Sequence, residues 1–195
     1  PQLKFLTARS SKPASQTWRE MGPPSRIIRW CCTVHKSAPT LLRLREHVGK
    51  PAVQALVFDG IRADESQRRA AYAPVTAGGK HSTQTNASPV LAWGSAEAHL
   101  YLWGRDAHLN DAYRRGLSRV GCSVCPFGSE WSESVLSCAY AADIAPLLTV
   151  LQESAVSAGV SPEAAAKSVQ EGGWKTRAGG RGLAAGGNRV LESSA

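Results

Sequence analysis

The sequence contains no run of about 18 apolar residues, so nothing in it is long and apolar enough to form a membrane-crossing helix. No charged-then-apolar secretory segment opens it. There is one methionine, and the chain begins at Pro1 rather than at an initiator. The expectation is a fragment whose upstream part is missing. Cysteines number five, an odd count that disfavours a disulfide framework and points to a reducing, cytoplasmic setting in which thiols bind metal. Acids are scarce in the first fifty residues, where Glu20 and Glu46 face ten Lys and Arg. The remaining residues balance thirteen bases against thirteen acids, so the whole net charge of +8 gathers near the N-terminus. Such a concentration favours a polyanion: nucleotide phosphates, a sulfate ester or nucleic acid.

At 195 residues and 43% hydrophobic, the chain can bury one sizeable core. The composition predicts one domain over 1–152 and an Ala/Gly-rich basic tail over 153–195, where Gly172-Gly173-Trp174-Lys175-Thr176-Arg177, Arg181 and Arg189 lie among many glycines.

The cysteines carry the strongest signal. Cys31-Cys32 stands in Arg29-Trp30-Cys31-Cys32-Thr33-Val34-His35-Lys36, and Cys122 and Cys125 stand far downstream in Gly121-Cys122-Ser123-Val124-Cys125-Pro126. Adjacent cysteines form a disulfide poorly, whereas a Cys-x-x-Cys turn points two thiolates at one centre. The four together read as one metal site closing a long loop. The doubled cysteine suits the corners of a 4Fe–4S cube better than a single tetrahedral ion. A zinc staple, or four buried thiols without metal, is the alternative. The fifth, Cys138, reads as a small buried residue, and His81, His99 and His108 lack ligand spacing.

Along the chain, Leu3–Thr7 reads as a strand and Ser10–Ser25, with its prolines, as a loop. Pro39–Val48 reads as an amphipathic helix, with His35 and Lys36 just before its positive N-terminal end. Val53–Phe58 is the clearest strand, largely apolar as a buried parallel strand would be. It ends at Asp59-Gly60, and the arginines that follow (Arg62, Arg68, Arg69) read as an anion-binding loop at a strand's carboxyl end. Ala73–Ser88 reads as loop. Ser95 is a candidate N-cap of a helix through Trp103 whose aromatics face the core, and Leu109–Leu117 is a short helix. Ser132–Gln152 reads as a longer helix, bent or broken at Pro146.

A family resemblance rests on these motifs. Cys31-Cys32 with Lys36 and Pro39, Gly60-x-Arg62-x-x-Glu65-Ser66-x-x-Arg69, Asn86–Trp93, Tyr101, Asn110, Tyr113, Gly116 and Gly121-Cys122-x-x-Cys125 occur in an order that resembles the phosphoadenosine phosphosulfate reductase family over roughly residues 18–130. The cysteine set is similar to its iron–sulfur branch. The resemblance implies a Rossmann-like α/β sheet of the adenine-nucleotide alpha-hydrolase type, incomplete because the N-terminal phosphate-loop part is missing. It implies Cys31, Cys32, Cys122 and Cys125 as ligands of a 4Fe–4S cluster, with Zn as the alternative. Lys36 would lie near cluster and substrate, and Arg62, Glu65, Ser66 and Arg69 would form the nucleotide-binding set. The implied partners are adenylyl sulfate, phosphoadenylyl sulfate or ATP, with thioredoxin or ferredoxin as electron donor.

The family's Ser-Gly-Gly-x-Asp-Ser loop and its Glu-Cys-Gly-Leu-His catalytic motif are absent from this sequence, which leaves the catalytic residue unknown. The leading expectation is an enzyme of sulfur metabolism, a reductase or sulfurtransferase. ATP-dependent sulfur transfer to nucleic acid (tRNA thiolation or DNA phosphorothioation), or a metal-stapled nucleotide-binding module without turnover, stands beside it.

Overall fold

Pro13 sets the first helix. At a helix start proline has no needed N–H to lose, and the Pro13 carbonyl accepts the N–H groups of Gln16 and Thr17. Helix α1 (Ala14–Met21) follows in the computed structural model, which describes residues 4–78 and 82–175. The loop expected over Ser10–Ser25 is thus interrupted: its prolines bound a helix instead of excluding one, and Thr17 and Trp18 are buried. The strand expected at Leu3–Thr7 is irregular over residues 4–7, and Leu3 lies outside the described residues.

A second helical run begins at Trp30. Helix α2 (Trp30–Cys32), a π turn over Thr33–Ser37 and helix α3 (Ala38–Val48) follow without a break. Pro39 accounts for the π turn, because it offers no N–H to the carbonyl four residues back and its ring crowds that carbonyl. The register slips by one, and the Ala38 N–H bonds the Thr33 carbonyl. The expected Pro39–Val48 helix is therefore present. Its run starts upstream of the cysteines, so Cys31 and Cys32 occupy the first turn instead of preceding the helix.

Two compact units form, one from Pro1–Thr40 with Gly121–Ala195 and one from Leu41–Val120. In the second, strand β1 (Ala55–Phe58) is followed by helix α4 (Gln67–Ala70) and strands β2 (Val75–Ala77) and β3 (Gln84–Ala87). The sheet has the order β1-β3-β2, with β1 parallel and β2 antiparallel to the central β3. The chain is accordingly mixed α/β, as expected. Leu56, Phe58 and Val75 are exposed, so β1 is covered on one face only and is not the buried strand its composition suggested.

Strands β2 and β3 replace the loop expected at Ala73–Ser88. The polar β3 carries no hydrophobic alternation, and its side chains satisfy one another: Gln84 Nε2 donates to Asn86 Oδ1 at 2.8 Å, and Asn86 Nδ2 to Asp59 Oδ2 at 3.0 Å. His81 lies outside the described residues.

Helix α5 (Ser95–Gly104) is capped one residue earlier than expected, with the Gly94 N–H donated to Glu97 Oε2 at 2.5 Å. Tyr101 and Trp103 are exposed, not core. Helix α6 (Asp111–Arg114) is capped by Asn110, and Leu109, Ala112 and Leu117 are buried around it.

The first unit is completed by helices α7 (Glu130–Ala139), α8 (Ala141–Ser157) and α9 (Pro162–Gln170). The expected bend at Pro146 does not occur. Helix α8 carries Pro146 in an early turn at the cost of one backbone bond, and the chain instead turns by 118° at Tyr140. Among the described residues, no single helix is long and apolar enough to cross a membrane. Cys138 is exposed on α7, against the expectation of burial.

Trp18, Val124, Ile144, Val150, Leu151, Ala155, Ala165, Val169 and Trp174 form one hydrophobic cluster. The stretch from Glu153, expected to be an Ala/Gly-rich basic tail outside the domain, is thus helical or packed as far as Lys175, while Thr176, Arg177, Arg181 and Arg189 lie outside the described residues.

Candidate functional site

The path into the first cysteine pair is fixed by burial and short-range bonds. Pro23, Pro24 and Ser25 are fully buried. Ser25 donates its N–H to the Ile28 carbonyl at 3.0 Å, its Oγ accepts the Ile28 N–H at 3.2 Å, and Trp30 Nε1 donates to the Gly22 carbonyl at 3.2 Å. Cys31 and Cys32 emerge partly buried on α2. The second pair sits on a turn in which the Gly128 N–H donates to the Cys125 carbonyl at 2.9 Å. Arg26 Nε donates to the Pro126 carbonyl at 2.9 Å, and the Arg29 guanidinium lies 4.3 Å over the Phe127 ring. Both pairs belong to the same unit.

The charges show the thiols as neighbours. Burial pushes the Cys31 thiol up, with Cys32, Cys122 and Cys125 adding to it, to about 12. Cys125 is likewise raised, first by burial; the Phe127 N–H opposes the shift, and Cys122 and Cys32 add to it. Burial pulls the Lys36 ammonium down. Its hydrogen bond with Cys122 and the charges of Cys122, Cys32 and Cys125 outweigh that, and Lys36 moves up overall. Four sulfurs and one ammonium therefore share one field.

A donor set of four thiols beside a cation fits a thiolate-bound centre in its chemistry. Among the described residues, however, no group of three or more His, Cys, Asp or Glu side chains stands arranged to hold a metal ion. A residue that the spacing did not single out, His35, also borders this region: its Nε2 is 2.8 Å from Thr17 Oγ1, its ring is 6.1 Å from that of Trp30, and burial lowers its pKa.

The arginine loop belongs to the second unit. Arg62 is 8% exposed and pairs with Asp64 at 3.2 Å and Glu65 at 3.8 Å. Glu65 also pairs with Arg69, so one carboxylate serves two arginines. Ser66 caps α4 by accepting the Arg69 N–H on its Oγ at 3.3 Å. The Arg69 guanidinium is lowered, first by burial and then by the charge of Arg119. Asp59, at the end of β1, accepts Ser88 Oγ at 2.7 Å, Asn86 Nδ2 at 3.0 Å and the Ile61 N–H at 3.3 Å. Asp59 and Arg119 are additions that no motif spacing marked.

The basic N-terminal third is less available than its composition implied. Lys12 pairs with Glu20, Arg19 with Glu153 and Arg43 with Glu46, while Arg26 and Arg29 are engaged on the cysteine turn.

Residues 2–127 match the Phosphoadenosine phosphosulfate reductase domain family. An uncharacterized protein of Methanocaldococcus jannaschii is 33% identical over 108 residues, which span 55% of this chain and 22% of that protein. A second uncharacterized protein of the same organism is 30% identical over 105 residues, 54% of this chain and 24% of its own length. The chain thus spans about a quarter of the length of these relatives. No solved structure matches it.

Proposed function

Because the chain belongs to the phosphoadenosine phosphosulfate reductase domain family, we propose that the protein acts on an adenine nucleotide bearing an activated sulfur group. Adenylyl sulfate or phosphoadenylyl sulfate is the substrate in this reading, thioredoxin or ferredoxin the electron donor, and Cys31, Cys32, Cys122 and Cys125 hold a 4Fe–4S cluster. What supports it is Lys36, whose ammonium burial pulls down and the neighbouring Cys122, Cys32 and Cys125 hold up, in the unit that carries all four cysteines. An ammonium so placed offsets the negative charge that thiolate ligation brings. When bound, a cluster supplies an electron-transfer centre whose potential depends on nearby charge and hydrogen bonds.

The chain's own residues do the remaining work. Lys36 stabilises ionised sulfur. Arg69, about a third exposed with a side chain held toward Glu65, offers guanidinium N–H groups to a phosphate or sulfate oxygen. Glu65 and Ser66 orient it, and Arg62 anchors Glu65. The experiment is product analysis of the full-length protein with adenylyl sulfate and a reduced donor. Sulfite and adenosine monophosphate support the reading, and intact substrate under all donor conditions contradicts it.

A second reading is ATP-dependent sulfur transfer to nucleic acid, for which the ten Lys and Arg against two acids in residues 1–50 speak. The internal pairing of Lys12, Arg19 and Arg43 weighs against it. Strongly salt-dependent binding to RNA or DNA separates it from the first.

A further inference from the structure

The turn carrying Cys125 is partly packed, with Val124 in the core cluster and Pro126 fully buried. Ser123 and Val124 line a cavity of about 320 Å³, whose other walls include Leu136, Ile144, Leu148 and Trp174. Polar contacts add to this packing. The Gly128 N–H closes the turn on the Cys125 carbonyl at 2.9 Å. Gly128 lies against Glu133: a Cβ added there would come 3.3 Å from Glu133 Oε1 and 3.1 Å from the Cys125 carbonyl oxygen. Glu133 accepts Lys175 Nζ at 2.5 and 2.6 Å on its two oxygens. The Lys175 carbonyl accepts the Arg26 N–H at 2.9 Å. Arg26 Nε donates to the Pro126 carbonyl at 2.9 Å.

Lys175 is the member whose placement asks for a reason. It is only 7% exposed, and lysine is rarely buried unless paired. The Glu133 side chain is about a third exposed, so the pair joins a buried ammonium to a partly solvated carboxylate, and removing the partner of a buried charge is costly. Lys175 also lies beyond residue 127, where the family match ends.

We propose that Lys175 is a positioning residue for Cys125, its side chain acting through Glu133, which lies against Gly128 at the end of the turn. Residues 128–175 are then part of the cysteine site and not an appendage to it. The proposal rests on the ligand reading of Cys125 only for its second readout. Lys175→Met frees the turn, and Lys175→Arg, which keeps the cation and its donors, restores it.

The test is hydrogen exchange of the full chain, followed at the amides of the Cys122–Gly128 turn and at the core amides of Val150 and Leu151, with and without zinc as a probe metal. Lys175→Met is expected to speed exchange in the turn about tenfold relative to the core amides, and to weaken zinc binding in competition with a chelator. Lys175→Arg is expected to reverse both. Unchanged turn exchange, or equal acceleration of turn and core, overturns the positioning role. If Lys175→Met does not fold, Glu133→Gln decides on the same readout, since it removes the charge but keeps a hydrogen-bond acceptor. Failure of the unaltered protein to bind any metal leaves the exchange result standing and sinks only the ligand reading.

Discussion

Trp174 packs against Trp18, their ring centroids 6.5 Å apart and tilted by 43°. The contact brings a residue from a Gly-rich stretch into the same core as helix α1, where Trp18 and Trp174 are each 3% exposed. Trp174→Ala is expected to destabilise the protein by about 3–5 kcal/mol, the range for removing a buried tryptophan. Chemical denaturation measures it, and a loss below about 1 kcal/mol would mean that the residues after Gln170 are not part of the core.

The two loop arginines are expected to behave differently. Arg62 is buried on Asp64 and Glu65, so Arg62→Ala leaves carboxylates short of a partner and costs about 3 kcal/mol of folding stability. Arg69 is more exposed, so Arg69→Ala is expected to weaken adenylyl sulfate binding at least about tenfold, the loss of a charge-assisted contact, with little change in melting temperature. Calorimetric titration beside a thermal melt checks both. Equal binding by the Arg69 variant removes that residue from the site.

In the metal-free protein the Cys31 thiol, pushed up to about 12 by burial and its neighbouring thiols, stays protonated at pH 8. Exposed Cys138 is expected to react with iodoacetamide well before Cys31, as peptide mass spectrometry can read. The linkage has a definite sign. Cys31 is neutral in folded and unfolded chains below the ordinary thiol value of 9.0. Above it the unfolded chain ionises first, so stability falls as pH rises from there toward 12. Rising stability across that window would contradict the crowding of the thiols.

The Arg19–Glu153 pair links α1 to α8, and its hydrogen bonds hold the Glu153 carboxyl below its usual 4.5. A lowered carboxyl adds stability above the unfolded value that is lost as pH falls through the folded one. Both side chains are about half exposed, so the effect is small and screened. Glu153→Gln is expected to lower the melting temperature slightly at pH 7 in low salt, and not at pH 3. An equal effect at both pH values would mean that the charge plays no part.

What could be read from the sequence, and what could not, has a physical basis. The four cysteines, helix α3 and strand β1 were legible because spacing, helical periodicity and an apolar run are local signals. Strand β3 was not, since Gln84, Thr85 and Asn86 pair through side chains and backbone without any hydrophobic alternation. Helix α1 was masked by flanking prolines that fix its ends. The role of Trp174 was hidden because composition reports average hydrophobicity, whereas one large ring between α1 and α9 contributes as much core as several small side chains. Arg62 and Arg69 were legible as a cationic loop, but their shared neutralisation by Glu65 depends on three-dimensional placement. The same holds for Asp59 and Arg119.

The most direct measurement is the metal content and visible spectrum of anaerobically purified full-length protein, with and without Cys122→Ser. The account predicts about four irons per chain and a broad band near roughly 400 nm from thiolate–iron charge transfer, both lost in the variant. One zinc and no colour, or iron that survives Cys122→Ser, would contradict it.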